Sequence, residues 1–313
     1  MSRPARHRSP RLLLAAAAVL PLLTLALTPL ALAVRSHGPG AHGSIVGGAT
    51  ATEGQYPSAA FVIQAHGKGF EACSGTVVAP SLVLTAGHCA ENLQTGVADA
   101  ARGYEVLTGQ VDLATGHGQR SSVIGVIPYP GYERHFDVGD AALLVLAKPV
   151  TAPAMPIAKR GHAQLFGAGT VATIAGWGVT SLTSRTPSKR LRYASTVVQP
   201  AKWCKRHVRP FYPKWELCTI DSAHFVAGGC FGDSGGPLMV PGSEQGQLVE
   251  VGVVAFGTVT CSTRYPGVYT RVDALSGWLR SWIAAYGTPI VSQPALTSLA
   301  APAPAPASTP VAG

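Results

Sequence analysis

Between Ile45 and Gly287 the apolar residues come in short runs, each closed by turn residues, at 59–64, 75–78, 82–85, 141–147, 171–175 and 248–255. Runs of that length match β-strands and are too short for helices that bury a face. The 36 glycines and 25 prolines suit a chain with many turns. One segment departs from this pattern. Leu275, Trp278, Leu279, Trp282 and Ile283 recur at helical spacing behind Asp273, which reads as an N-cap, with Gly287 just past the end. The pattern predicts an all-β body closed by one amphipathic helix over 273–286.

The flanks read differently. Residues 1–33 have a basic start, an apolar run from Leu12 to Leu30 and the small residues Ala31-Leu32-Ala33, the three parts of a secretory signal peptide. A retained membrane anchor is the competing reading, against which Pro21 and Pro29 interrupt the run. Residues 34–44 read as a short pro-segment. Residues 288–313, rich in Ala and Pro and without charge, lack the apolar surface to fold and read as a flexible tail.

Removing Arg3, Arg6, Arg8 and Arg11 with the signal lowers the formal charge from +9 to +5, and removing Arg35 as well lowers it to +4. The remaining cations cluster between Arg185 and Lys214 and read as a solvated basic face; the sharper alternative is a patch for an anionic polymer. No nucleic-acid fold signature accompanies the charge.

The local signal richest in chemistry is Gly232-Asp233-Ser234-Gly235-Gly236-Pro237. A serine hydroxyl is a weak nucleophile and needs a base within reach. Glycines beside it let the backbone turn sharply, so that the N–H groups of Gly232 and Ser234 converge on a developing oxyanion. Among ten histidines, His88 stands out, because it ends an apolar run and sits beside Cys89. A buried carboxylate must orient the imidazole. Asp140, immediately before an apolar strand, is favoured over Asp137 in its more polar stretch.

The order His88, Asp140, Ser234 and the motifs Thr85-Ala86-Gly87-His88-Cys89, Asp140-Ala141-Ala142-Leu143, Gly176-Trp177-Gly178, Gly232 to Pro237 and Pro266-Gly267-Val268-Tyr269 resemble those of the chymotrypsin-like, trypsin-fold secreted serine peptidases, bacterial type. The resemblance implies two six-stranded antiparallel β-barrels, about 45–150 and 151–272, within a peptidase domain over 45–287. It implies a monomer with protein or peptide substrates and a protein inhibitor as partners. It also implies that cleavage before Ile45 frees an amino group that pairs with Asp233. Ser44 precedes Ile45, where basic residues are common, so the activating peptidase stays open.

Six cysteines allow 15 pairings. The resemblance selects Cys73–Cys89, Cys204–Cys218 and Cys230–Cys261, in keeping with an oxidising, extracellular setting. Zinc is set aside because no Cys-x-x-Cys or His-Glu-x-x-His spacing exists, and calcium because 107–122 holds one carboxylate, Asp112. No cofactor is expected.

By resemblance, Gly228 lies at the floor of the primary specificity pocket, with Gly257 and Gly267 at its walls and Phe256 in place of the usual tryptophan. A pocket without charge or bulk implies cleavage after large apolar or aromatic residues. Ala255 stands where the family often has a serine bonded to the catalytic aspartate, a loss of about 1–3 kcal/mol of local support. The rival functions are a non-catalytic binding protein on the same fold, toward which only Ala255 leans, and an adhesion or structural protein.

Overall fold

The computed structural model describes residues 45–286, apart from 67–68, 93–94, 182, 185, 222–223, 226, 245 and 259. The expectations for 1–33, 34–44, 288–313, Ser44, Arg185 and Gly287 lie outside the described residues.

The first barrel closes in the order β2 (Ala59–His66), β3 (Gly69–Ala79), β4 (Leu82–Thr85), β7 (Ala142–Leu146), β6 (Gln119–Pro128), β5 (Tyr104–Thr108). The sequence of β7, Ala-Leu-Leu-Val-Leu, does not alternate, and all five residues are buried. Side chains of a strand point alternately to opposite faces. Ala142, Leu144 and Leu146 therefore fill the barrel with Val62, Val83 and Val106, while Leu143 and Val145 enter a second core with Leu238, Val251 and Leu279. A strand covered on both faces reads as a continuous apolar run. Truncating Leu144 to Ala would cost about 2–5 kcal/mol.

The second barrel is made of β8 (Val171–Gly176), β9 (Arg192–Val198), β10 (Glu216–Ile220), β13 (Gly267–Arg271), β12 (Leu248–Phe256) and β11 (Pro237–Pro241), closed by β8 pairing with β9. A short strand, β1 (Ala49–Thr50), pairs with β9 through Ala49 and Tyr193. The segment that begins at Ile45 is thus tied to the second barrel, although the resemblance assigned 45–150 to the first.

The chain ends its described part in α2 (Val272–Tyr286), whose buried Leu275, Leu279 and Trp282 join the shared core. Asp273 lies in the first turn rather than capping it. Its carboxylate accepts two hydrogen bonds from the Arg271 guanidinium, at 3.0 and 2.8 Å. A second helix, α1 (Ala201–His207), was not anticipated from the sequence. It follows Pro200 and carries Lys205 and Arg206 in its last turn, where cations complement the negative end of the helix dipole. Its one buried residue, Cys204, is bonded to Cys218 on β10. No helix among the described residues is long and apolar enough to cross a membrane.

Candidate active site

Antiparallel pairing of β4 with β7 sets Thr85 opposite Ala142. The chain leaving β4 therefore runs beside the chain entering β7, which brings His88 to Asp140. The Asp140 carboxylate is 1% exposed. Its Oδ1 accepts the His88 main-chain N–H at 2.8 Å, and its Oδ2 lies 2.7 Å from His88 Nδ1. This contact fixes the proton on Nδ1 and leaves Nε2 as the acceptor. Asp137 makes no such contact. It adopts φ 52° nearby, and burial, then the Asp140 charge, raise its pKa.

Burial is the largest single influence on His88 and would lower its pKa. The Asp140 charge and hydrogen bond, with the charges of Asp137 and Glu91, outweigh burial, so the net shift is upward. Among the described residues no third donor reaches the Asp140 carboxylate. Thr270 Oγ1 donates instead to the Asp140 main-chain oxygen, at 2.8 Å.

Ser234 and His88 line the same cleft of about 550 Å³, together with Gly232, Phe231 and the Cys73–Cys89 disulfide. Among the described residues the Ser234 hydroxyl has no hydrogen-bond partner; such contacts often tighten only when substrate binds. The amides beside it are oriented from behind. Val179 N–H donates to Phe231 O at 2.7 Å, and Gly236 N–H donates to Asp233 O at 2.9 Å. In a trans peptide the carbonyl and the following N–H point in opposite directions. The N–H groups of Gly232 and Ser234 thus point away from these anchors, and neither has an acceptor among the described residues.

Asp233, between these two residues, is 1% exposed and does not line the cleft. Gly178 N–H donates to its Oδ1 at 2.8 Å and Cys230 N–H to its Oδ2 at 2.9 Å. A Cβ on Gly176 or Gly178 would overlap this carboxylate, which explains the Gly-Trp-Gly motif by close approach. Burial pushes the Asp233 pKa up to about 7, against the two amide bonds, and no cation faces it among the described residues. Ile45 is fully buried, and its neighbour Val46 bridges to Gly228, whose N–H donates to Val46 O at 3.1 Å.

One residue of this site gave no sequence signal. Ser74, on β3, is 1% exposed; its Oγ donates to Gly232 O at 2.9 Å and accepts Trp177 N–H at 3.2 Å. Its own N–H donates to Ser234 O at 2.8 Å. It clips the loop on both sides of Asp233 to the first barrel. No local pattern could reveal it, since Gly232 lies 158 positions away.

The expected specificity residues are only partly together. Gly228, Gly257 and Gly267 line one space with Tyr269, and no charged side chain lines it. Its volume is about 20 Å³, the size of a single water. Phe256 is not among its walls and packs on the cluster of Cys204, Phe211, Cys218 and Val268. All three disulfides join the pairs the resemblance selected. The sulfurs of Cys73 and Cys89 lie within 4.8 Å of a His88 ring nitrogen, but they are bonded to each other and offer no thiolate to a metal.

Residues 45–279 match the family model described as Trypsin. The chain is 34% identical over 258 residues to serine protease 56 of Mus musculus, a match covering 78% of this chain and 39% of that protein. It is 32% identical to a trypsin-like protease of Streptomyces glaucescens (74% of this chain, 80% of the relative) and 31% identical to trypsin of Saccharopolyspora erythraea (74% and 94%). The chain spans about two fifths of the length of the serine protease 56 relatives it matches. With both barrels inside the family match, the chain belongs to the trypsin family.

Proposed function

We propose that this chain is a secreted serine endopeptidase that cleaves peptide bonds through an acyl-enzyme on Ser234. The observation that carries the reading is the His88–Asp140 pair, with two unengaged amides, on the cleft that also holds Ser234. His88 Nε2 takes the Ser234 proton as Oγ attacks the carbonyl carbon. The oxyanion accepts hydrogen bonds from the Gly232 and Ser234 N–H groups. Asp140 stabilises the imidazolium, which then protonates the leaving amine, and water repeats the cycle on the ester. A fluorophosphonate probe applied to protein cleaved before Ile45 tests this directly: the wild-type sequence should be labelled and Ser234→Ala should not. An unlabelled wild-type protein would favour the binding-protein alternative, for which the one donor missing at Ala255 is the supporting feature.

The signal-like pattern ending at Ala33 supports secretion, and Ile45-Val46-Gly47-Gly48 supports activation by cleavage after Ser44. A freed Ile45 amino group would give Asp233 the cation it lacks. The uncharged, glycine-walled space at Gly228 supports a preference for large apolar or aromatic side chains, provided it widens when the Val46–Gly228 bridge is released. The volume of about 20 Å³ favours a second reading, cleavage after small residues such as Ala. Peptides differing only in Phe, Ala or Arg before the bond distinguish these; fastest cleavage after Arg would exclude both.

A further inference from the structure

The cleft that holds His88 and Ser234 does not end at Phe70. Beyond it lies a second depression of about 390 Å³, and the two share Phe70, Thr186 and Pro187 as a common rim. Phe70 is left 56% exposed at this junction. The second depression is lined by Phe61, Ile63 and Leu113, with Phe61 fixed from behind by an edge contact to Trp177 at 5.8 Å. Glu105, Arg120 and Lys189 also border it. Glu105 and Arg120 are paired with each other. Lys189 is exposed and has no ion-pair partner among the described residues.

The direction of a bound substrate follows from the chemistry. The imidazole that takes the serine proton must return it to the leaving nitrogen, so the leaving half of the substrate lies on the His88 side of Ser234. The glycine-lined space at Gly228 has neither His88 nor Phe70 on its walls, whereas the cleft has both. The half that follows the scissile bond therefore runs along the cleft past Phe70.

We propose that the second depression binds the substrate segment that follows the scissile bond, seating a large apolar side chain on Phe61, Ile63 and Leu113 and a neighbouring carboxylate at Lys189. This deepens the endopeptidase reading and rests on it. Continuity of the depression with the cleft names the occupant, and the mix of apolar lining and one unpaired cation names its chemistry.

The test is a set of peptides with one fixed acyl half and a leaving half extended by about two, four or six residues, roughly 7, 13 and 20 Å of strand. An extension that reaches the depression with Leu-Glu should raise kcat/KM by ~10-fold or more over a Ser-Gly extension of equal length. Leu113→Asp should abolish that gain while leaving the shortest peptide's rate unchanged. Lys189→Glu, an exposed change, should remove only the advantage of the acidic residue. Fluorescence anisotropy of the labelled Leu-Glu extension alone reads the depression without turnover. Binding that Leu113→Asp abolishes supports the inference. No gain from any extension, or no binding of the free segment, overturns it. Failure of protein cleaved before Ile45 to cleave even the shortest peptide would instead sink the endopeptidase reading, and the anisotropy result would still decide the depression.

Discussion

Asp140 and Asp233 are buried to the same degree, each 1% exposed, yet their charges are met in different ways. Asp140 has a titratable partner: both oxygens bond to His88, once through the backbone and once through the ring. Among the described residues Asp233 is held only by the amides of Gly178 and Cys230, and burial drives its pKa up to about 7. Buried charge is costly unless a partner charge meets it. Among the described residues the base side of the site is therefore electrostatically complete, and the nucleophile side lacks one cation.

Removing the partner on the complete side has the largest expected effect. Asp140→Asn should reduce kcat by ~10⁴-fold, because the wrong nitrogen of His88 then carries the proton. Asp233→Asn acts only on the shape of the amide loop and should cost about 10²-fold, as for the loss of one oxyanion donor. Equal losses in the two variants, measured on one peptide, would erase the distinction between the sides.

Titration sharpens it further. The folded pKa of Asp233 is raised from 3.8 to about 7, so its stabilising contribution is whole below pH 3.8 and is lost as the pH climbs through 7. Melting temperatures of the uncleaved protein should fall across that window, and Asp233→Asn should flatten the fall. After cleavage before Ile45 the slope should shrink, since a paired carboxylate no longer resists ionisation. An unchanged slope would mean the new amino group does not reach Asp233. Fully buried Glu250, whose oxygens lack partners of good geometry, serves as the control. Burial raises its pKa from 4.5 to about 8, and Glu250→Gln should remove a loss between those values that cleavage does not touch.

On the base side the sign concerns activity. His88 must be neutral to accept a proton, and its pKa lies above 6.5. The acidic limb of kcat/KM should therefore have its midpoint above pH 6.5, and a midpoint below that value would contradict the Asp140 contribution. The smallest expected effect is at the clip between the sides. Ser74→Ala should lower kcat about fivefold with little change in KM, the value of one neutral hydrogen bond expressed in the transition state.

The base side was also the more legible in the sequence. His88 and Asp140 each adjoin an apolar strand, and the pairing of Thr85 with Ala142 turns that adjacency into contact. Ser234 was legible because glycines must flank it. Asp233 was marked through the motif and, by resemblance, as the partner of a freed Ile45 amino group, but its glycine surroundings were not, because Gly176 and Gly178 act on it by leaving room. Ser74 was invisible for a related reason: its function lies in bonds to carbonyls far along the chain. The helix at Ala201–His207 escaped because seven residues with one buried side chain carry too little periodicity. Phe256 was placed by resemblance in the pocket wall, but packing against the Cys204–Cys218 bridge claims its ring.

Cys73 and Ser74 are consecutive on β3, so one short stretch grips the base loop covalently through Cys89 and the nucleophile loop through hydrogen bonds. The sulfur bridge forms part of the cleft wall. Reduction of that bridge would free the base loop from its covalent tie to β3, while the Ser74 hydrogen bonds to the nucleophile loop would stay in place.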